Sequence, residues 1–319
     1  MPTGGRGLKG AMSVNERVRG ESQVLLKEAL KVGTDILKSA CIEAPALTAG
    51  ALLCHVIKCD RVFLYSHGEY DMDREKTEDF LRLVNSRAAG KPLQYLTGHQ
   101  EFMSLDFTVT PEVLIPRQDT EILVEAVVRH IQALSPRPGH EIRILDIGTG
   151  SGCIAVSLAY YVKNCRVTAL DVSEKALSIA GGNAVLNGVG DRIELVHGDL
   201  FELWAEDKGR AHPLFDVIVS NPPYIPEHEI ETLPREVKGY EPVMALNGGK
   251  DGLAFYRFII GNAEKHLKPG GYMGFEVGYG QADAVYRMMQ GHFCSLTKFS
   301  DLAGIDRVVA GVLKKTPGS

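Results

Sequence analysis

The sequence lacks several features that would each assign it to a special class of protein. No apolar run approaches the roughly 18 uninterrupted residues of a membrane-spanning helix, although 45% of the 319 residues are hydrophobic. The six cysteines contain no CxxC pair and follow no regular spacing, so we expect free thiols and no metal site. Internal repeats and low-complexity segments are also absent. The composition therefore predicts an ordinary globular protein of the reducing cytoplasm.

Basic charge is scarce as well. The net charge is -5, and neither the first 115 residues nor the remainder is basic. A protein that grips duplex nucleic acid normally carries a basic face or a basic domain. We therefore expect no direct contact with nucleic acid. The lack of a long apolar run predicts no membrane contact, and we expect a monomer.

The first ninety residues divide into an extension and a helical region. Residues 1–20 carry four basic side chains but no apolar core of a secretory signal, so we expect a disordered extension. A transit peptide and a true start at Met12 are the alternatives there. Residues 21–90 have apolar side chains at helical spacing, which predicts a small all-helical domain. The clearest examples are Val24, Leu25, Ala29, Val32, Ile36, Phe80, Leu81 and Val84.

The period of the apolar pattern changes to two between residues 103 and 110. Met103, Leu105, Phe107 and Val109 alternate with polar residues, which is typical of a half-buried strand. We expect its hairpin partner around Leu96, so that residues 91–114 form a β-hairpin linker.

From residue 115 to residue 319, strand and helix patterns alternate, which predicts βαβ crossovers and a mostly parallel sheet of an α/β protein. The end of the chain breaks this rhythm, because two strand patterns follow each other without a helix. We interpret them as an antiparallel hairpin at the edge of the sheet. The predicted strands are residues 142–147, 166–171, 192–199, 215–220, 272–277, 295–299 and 306–313.

The first of these strands leads into DIGTGSG, residues 146–152. Glycines let the backbone turn tightly and approach a ligand, and the next helix offers amide hydrogens at its start. The dinucleotide pattern GxGxxG fails at Cys153, and the GK[ST] of a P-loop is absent. Asp171 ends the second strand, where a carboxylate accepts hydrogen bonds from ribose hydroxyls. Asp199 follows the third strand, where it could accept one from an adenine amine.

These residues fit adenosine without a pyrophosphate, as in S-adenosylmethionine. Structural alternatives exist for the two carboxylates nearest the glycine loop. Asp146 would only orient that loop, and Asp171 would only cap the helix that starts near Ser173.

The fourth strand ends in SNPPYIP, residues 220–226. Prolines remove backbone donors and fix φ, so this turn is stiff. The side-chain oxygen of Asn221 and the carbonyl of Pro222 could accept both hydrogens of a planar amino group, while Tyr224 lies against its face. Such orientation before the reaction favours methyl transfer to a poor nitrogen nucleophile. The structural alternative is a rigid turn with an exposed tyrosine.

In these motifs the chain resembles the release-factor glutamine N5-methyltransferases, within the class I S-adenosylmethionine-dependent methyltransferases. The resemblance covers roughly residues 45 to 315. Its other motifs are KPLQYLTGHQEF (91–102), VTPEVLIPRQDTEILVE (109–125), ALDVS (169–173), GDLF (198–201), EPVMALNGGKDGLAFYR (241–257), LKPGG (267–271) and DLAGIDRVV (301–309).

The resemblance implies a Rossmann-like domain whose seven-stranded, mostly parallel sheet has an antiparallel last strand. It implies methyl transfer from S-adenosylmethionine to the glutamine amide of the Gly-Gly-Gln motif in class-one peptide-chain release factors, which the helical domain helps to dock. The residues implied to line the cofactor are Gly148, Thr149, Gly150, Ser151, Gly152, Asp171, Asp199, Leu200 and Asn221, and those implied to hold the substrate amide are Asn221, Pro222, Pro223 and Tyr224.

Two positions depart from the family pattern. Gln118 replaces a frequent proline, and Leu200 replaces an aromatic residue that some relatives have, which puts adenine stacking there in doubt. Arg117 and Glu121 match the pattern, but a charge pair at a helix start is an equally good explanation for them.

Three other functions remain as alternatives. A ribosomal-protein glutamine methyltransferase would share every catalytic residue, although the N-terminal half favours the release factor. Adenine methylation of DNA or RNA predicts a basic and aromatic recognition region. A cofactor-binding protein without catalysis would not need an intact NPPY.

Overall fold

The computed structural model describes residues 23–134, 140–200 and 214–315, so the predicted extension at residues 1–20 lies outside the described residues. The chain divides into two compact units, Met1–Thr97 and Gly98–Ser319. Within the described ranges, no helix is both long and apolar enough to cross a membrane.

The first unit is helical around an apolar core, as the spacing of its apolar residues predicts. Asp60 and Asp73 each accept a backbone amide hydrogen three residues further on, at 2.7 and 2.8 Å, and so cap two of its helices. The helices are α1 (Leu26–Ser39), α2 (Pro45–Ile57), α3 (Arg61–Ser66), α4 (Arg74–Ala88) and α5 (Leu93–Thr97).

This unit also contains a short ribbon that the periodicity did not predict. Strands β1 (Gln23–Leu25) and β2 (Asp71–Asp73) pair antiparallel. Three residues are too few to show a period of two against helical neighbours, which is why the sequence indicated helices alone.

The second unit begins with the expected hairpin, but its register differs from the prediction. Strand β3 (His99–Phe102) pairs with β4 (Leu105–Thr108). Met103 and Ser104, which were predicted to begin a strand, form the turn with φ of 52° and 56°. The partner therefore lies at residues 99–102, not around Leu96. Positive φ at both central positions suits a two-residue hairpin turn, but no Asn-Gly or Asp-Gly pair marks it.

Seven strands form one sheet, in the order β10-β11-β9-β8-β5-β6-β7. Only β11 runs against the others, because it pairs antiparallel with both β9 and β10. This confirms the predicted seven-stranded, mostly parallel sheet with an antiparallel last strand. The strands are β5 (Ile142–Ile147), β6 (Cys165–Asp171), β7 (Ile193–His197), β8 (Phe215–Ser220), β9 (Leu267–Glu276), β10 (Phe293–Ser300) and β11 (Asp306–Leu313).

Alternate residues of the central strands pack into two cores on opposite faces of the sheet. Ile144 belongs to the core that α6, α7 and α8 cover, and Leu145 to the core under α10 and α12. This arrangement buries both faces, as a parallel sheet requires. The helices are α6 (Gln118–Leu134), α7 (Cys153–Tyr161), α8 (Glu174–Leu186), α9 (Arg235–Lys238), α10 (Ala254–Gly261), α11 (Ala263–His266) and α12 (Ala282–Gln290), with 3-10 turns at Gly190–Arg192, Glu227–Thr232 and Val243–Ala245.

Candidate active site

The strand order reverses between β5 and β8, and the candidate site lies at the carboxyl ends of these strands. From β5 the chain goes to β6 and β7 on one side, and then to β8 on the other. Open α/β sheets bind ligands at such a switch point. The sheet register pairs Ile147 with both Leu170 and Ser220, and Ser220 with Phe275. The next residue along each of these four strands therefore lies in one row: Glu276, Asn221, Gly148 and Asp171.

The glycine loop after β5 keeps its shape through left-handed glycines. Gly148, Gly150 and Gly152 have φ of 71°, 56° and 79°, which L side chains rarely adopt. A Cβ on Gly148 or Gly150 would meet nothing within 4 Å, whereas one on Gly152 would lie 2.9 Å from the Cβ of Ala180. Gly152 thus allows close packing on α8, and the other two leave open space for a ligand.

Asp146 organises this loop from inside. Its side chain is fully buried and accepts a hydrogen bond from the hydroxyl of Thr149 at 2.6 Å. The pKa of this carboxyl is raised to about 7, mainly by burial and also by the Asp171 charge, against the lowering effect of the Thr149 hydrogen bond. Thr149 and Ser151 are also buried, at 5% and 2% exposure.

Asp171 connects the glycine loop with the next helix. One carboxylate oxygen accepts from the amide of Gly150 at 2.8 Å, and the other accepts from the amide of Ser173 at 2.9 Å. The cap of α8 is Ser173 itself, whose hydroxyl accepts from the amide of Ala176. Each carboxylate oxygen has two lone pairs, so Asp171 keeps acceptor capacity for further donors.

Asp199 and Leu200 follow β7, whose carboxyl end lies beyond that of β6 on the same side of the sheet. Asp199 is half-buried. Leu200 is 6% exposed and belongs to the apolar core under α10 and α12. Its side chain therefore contributes to that core.

The NPPY segment is held at the end of β8 by side chains from other elements. The hydroxyl of Ser220 donates to the carbonyl of Ile147 at 2.8 Å and so ties β8 to β5. The amide nitrogen Nδ2 of Asn221 donates to Oγ1 of Thr120 at 3.3 Å. Because Nδ2 is turned to Thr120, the other end of the amide, Oδ1, is the acceptor that Asn221 offers to a ligand.

Glu276 is the buried centre of these contacts. It is 3% exposed; one of its oxygens accepts from the hydroxyl of Thr120 at 2.5 Å, and the other accepts from the phenol of Tyr224 at 3.5 Å. Burial raises the pKa of Glu276 to about 7, with a contribution from Asp119. Burial and the Glu276 charge also hold the pKa of Tyr224 well above its usual range, so this phenol is a neutral donor.

The backbone of the NPPY segment is clamped by a second loop. Ile225 donates its amide to the carbonyl of Leu246 at 3.0 Å, and Gln281 donates from Nε2 to the carbonyl of Tyr224 at 2.9 Å. A Cβ on Gly248 would lie 2.7 Å from Cα of Tyr224, and one on Gly252 would overlap its carbonyl oxygen. The loop is therefore fixed by close backbone packing as well as by its prolines.

Several of these positioning residues were not identified from the sequence. Thr120, Glu276, Gly248, Gly252 and Gln281 lie in or near quoted motifs, but nothing in their spacing connects them with Asn221. Asn183 was missed too: it is fully buried, exchanges hydrogen bonds with the backbone of Thr108 at 2.8 and 3.0 Å, and donates to the carbonyl of Ser151 at 2.8 Å. It joins the hairpin to the glycine loop.

Arg117 and Glu121 do not pair with each other as a helix-start charge pair would. Arg117 forms an ion pair with Glu241 at 2.5 Å, and Glu121 accepts the amide of Met103 at 2.6 Å. Across the described part of the chain, no group of three or more His, Cys, Asp or Glu side chains is arranged to hold a metal ion.

Comparison with known proteins agrees with this architecture. Residues 28–98 match the family described as PrmC N-terminal domain, and residues 119–235 match the Methyltransferase small domain. A release factor glutamine methyltransferase of Geobacter sulfurreducens is 44% identical over 271 residues, which are 85% of this chain and 90% of the relative. One of Clostridium acetobutylicum is 40% identical over 288 residues, 90% of this chain and 98% of the relative.

The seven-stranded sheet, the glycine loop at its switch point and the matched methyltransferase domain define a methyltransferase with the Rossmann-like class I fold. The identity to the curated relatives extends beyond this domain and spans nearly the whole length of both chains. The chain belongs to the release factor glutamine methyltransferase family, which confirms the resemblance found in the sequence.

Proposed function

We propose that this chain transfers a methyl group from S-adenosylmethionine to the side-chain amide nitrogen of the glutamine in the Gly-Gly-Gln motif of class-one peptide-chain release factors. The observation that carries the proposal is the Asn221 amide, held by Thr120 at the switch point with Oδ1 as its acceptor end. Membership of the family supports the choice of substrate. We place the reaction in the cytoplasm and assign the helical unit to docking of the release factor.

The residues of the glycine loop fit a nucleoside cofactor. Open space in front of Gly148 and Gly150 admits a ligand close to the backbone, and Asp171 has acceptor capacity for two ribose hydroxyls. In this proposal, Asp199 receives the adenine amine, while Thr149 and Ser151 shape the loop from its buried side. When bound, S-adenosylmethionine would supply a methyl group on a positively charged sulfur, with S-adenosylhomocysteine as the product that remains.

The NPPY segment would hold the substrate glutamine. An amide nitrogen is a poor nucleophile because its lone pair is delocalised into the carbonyl. Oδ1 of Asn221 and the carbonyl of Pro222 accept its two hydrogens, and Tyr224 lies against the amide plane beside Pro223. These contacts fix the direction of the nitrogen before reaction, which is where orientation lowers a barrier. The leaving proton becomes acidic as the nitrogen–carbon bond forms, so no charged base is needed at the nitrogen.

The test is methyl transfer to competing substrates in parallel. Tritium-labelled S-adenosylmethionine is incubated with the enzyme and a purified release factor, ribosomal protein or DNA. We expect label in the release factor alone, and its loss when the motif glutamine is changed to alanine. Label in DNA or ribosomal protein alone would assign the alternative functions, and label that persists in the altered release factor would refute the proposed acceptor.

A further inference from the structure

Glu276 lies too deep to touch a substrate, yet it is connected to Asn221 through one hydroxyl. The chain of hydrogen bonds runs from Nδ2 of Asn221 to Oγ1 of Thr120 at 3.3 Å, and from that hydroxyl to Oε2 of Glu276. All three side chains come from different elements: the β8 loop, the start of α6 and the end of β9. Thr120 is 101 residues from Asn221 and 156 residues from Glu276 in the sequence.

The carboxylate of Glu276 determines the direction of the hydrogen bonds in this series. An ionised carboxylate only accepts hydrogen bonds, and a hydroxyl has a single hydrogen to donate. Because Thr120 donates that hydrogen to Glu276, its oxygen can only accept from Asn221. The asparagine must therefore turn its NH2 group inward and its carbonyl oxygen toward the ligand side.

We propose that Glu276 is a positioning residue which, through Thr120, fixes the orientation of the Asn221 amide so that Oδ1 faces the substrate. This inference rests on the proposed function only for the identity of that substrate. A protonated Glu276 would donate to Thr120, whose hydroxyl could then donate to Asn221. The reversed chain favours the flipped amide, which presents NH2 to the substrate and cannot accept its hydrogens.

The surroundings of Glu276 make its protonation the relevant variable near neutral pH. Burial raises its pKa to about 7. The phenols of Tyr224 and Tyr256 face Glu276 and have pKa values well above their usual range, and the pKa of the facing Cys153 thiol is about 12. The carboxylate of Asp119 and the guanidinium of Arg307 also face Glu276 and pair with each other at 3.1 Å.

The decisive comparison uses Thr120→Val, which removes the relay at nearly constant volume, and Thr120→Ser, which retains it. We expect Thr120→Val and Glu276→Gln to lower kcat at pH 8 by about tenfold or more, since an oriented acceptor is lost. The KM for the cofactor should change less than about threefold, and Thr120→Ser should stay within about threefold of wild type. In wild type, kcat should fall as the pH drops through about 7, and both disabled variants should lack this limb.

Asp146 also has a pKa raised to about 7, and a low-pH limb that Asp146 caused instead of Glu276 would persist in Thr120→Val. Wild-type kcat and an unchanged low-pH limb in Thr120→Val would therefore overturn the proposal, whether or not Glu276→Gln folds.

A second readout does not depend on the substrate. With 15N-labelled asparagine, the side-chain NH2 resonance of Asn221 is assigned by its loss in Asn221→Gln. We expect this resonance to shift with a midpoint near pH 7 in wild type and to stay constant in Thr120→Val. A constant resonance in wild type would refute the proposal. Failure of the proposed function would instead appear as absent release-factor labelling with the resonance shift intact.

Discussion

Two loops lie side by side at the carboxyl ends of the central strands. Each is built around a buried carboxylate that accepts a hydrogen bond from a threonine hydroxyl. In the glycine loop the pair is Asp146 and Thr149, three residues apart. At the NPPY loop it is Glu276 and Thr120, 156 residues apart. The buried carboxylate of the first loop thus finds its threonine within the loop, whereas that of the second depends on the assembled sheet. We therefore expect cofactor binding to survive local changes that abolish substrate positioning.

The largest expected effect separates the two loops most directly. Asn221→Ala removes the acceptor for the substrate amide, so kcat should fall roughly 10²–10³-fold. The cofactor Kd should rise by less than about threefold, because Asp171 and the glycine loop are untouched. Methyl-transfer kinetics and calorimetry measure both, with Asn164→Ala, an exposed asparagine of the same unit, as control. If cofactor binding were lost together with turnover, the two loops would not have separate roles in binding cofactor and positioning substrate.

The two buried carboxylates should both make stability depend on pH. Their pKa values are raised to about 7, so the folded state binds more protons than the unfolded state between about pH 4 and 7. The contribution of these two groups to stability is therefore largest at the acidic end of this range and is lost as the pH rises to about 7. A pKa that differs by one between the folded and unfolded states changes the free energy of unfolding by about 1.4 kcal/mol. The decline is therefore on the order of 3–4 kcal/mol for each group.

Asp146→Asn and Glu276→Gln should each remove part of this decline. Urea unfolding of the full chain between pH 4 and 8 measures it, and Asp191→Asn, at an exposed carboxylate, is the matched control. If both buried variants retained the wild-type slope, the two carboxylates would not be coupled to folding in this range.

A third prediction concerns the clamp behind the NPPY loop. Gly252 and Gly188 both have positive φ, of 74° and 68°, so alanine strains the backbone at either position. A Cβ at Gly252 would also overlap the carbonyl oxygen of Tyr224, whereas one at Gly188 would meet nothing within 4 Å. We expect Gly252→Ala to destabilise the protein by about 2 kcal/mol more than Gly188→Ala, and to lower kcat.

Chemical denaturation and kinetics of the two variants test this difference. Equal stability would show that the NPPY loop adjusts to the added methyl group. In that case the prolines and the hydrogen bonds from Ile225 and Gln281 would keep the loop in place without the close packing of Gly252.

The same contrast explains what the sequence could predict. DIGTGSG, Asp171 and NPPY each come at the end of an apolar strand pattern, so their place at the carboxyl ends of parallel strands was predictable. The hairpin turn was not, because Met103 and Ser104 carry no signal for positive φ. Thr120, Glu276 and Gly252 also escaped prediction, because contacts between residues far apart in the sequence depend on strand order and register. The motifs around these residues indicated a family, but a motif alone does not show which side chains contact each other.

The smallest effect should come from Asp171, and its signature should be the reverse of that of Asn221. Asp171→Asn replaces one acceptor with a donor, so the amide of Gly150 or of Ser173 loses its partner. The variant also offers fewer acceptors to ribose hydroxyls. A hydrogen bond to a charged group is worth about 1.5 kcal/mol or more, so the cofactor Kd should rise about tenfold.

At saturating cofactor, kcat of Asp171→Asn should remain within about threefold of wild type, because the row from Asn221 to Glu276 is intact. Calorimetry of cofactor binding and kinetics with release factor distinguish the two quantities, and the exposed variant Asp191→Asn should alter neither. If kcat fell at saturating cofactor as far as in Asn221→Ala, the glycine loop would have to position the substrate as well. The two loops would then act as one unit, and the long-range contacts of Glu276 would support both.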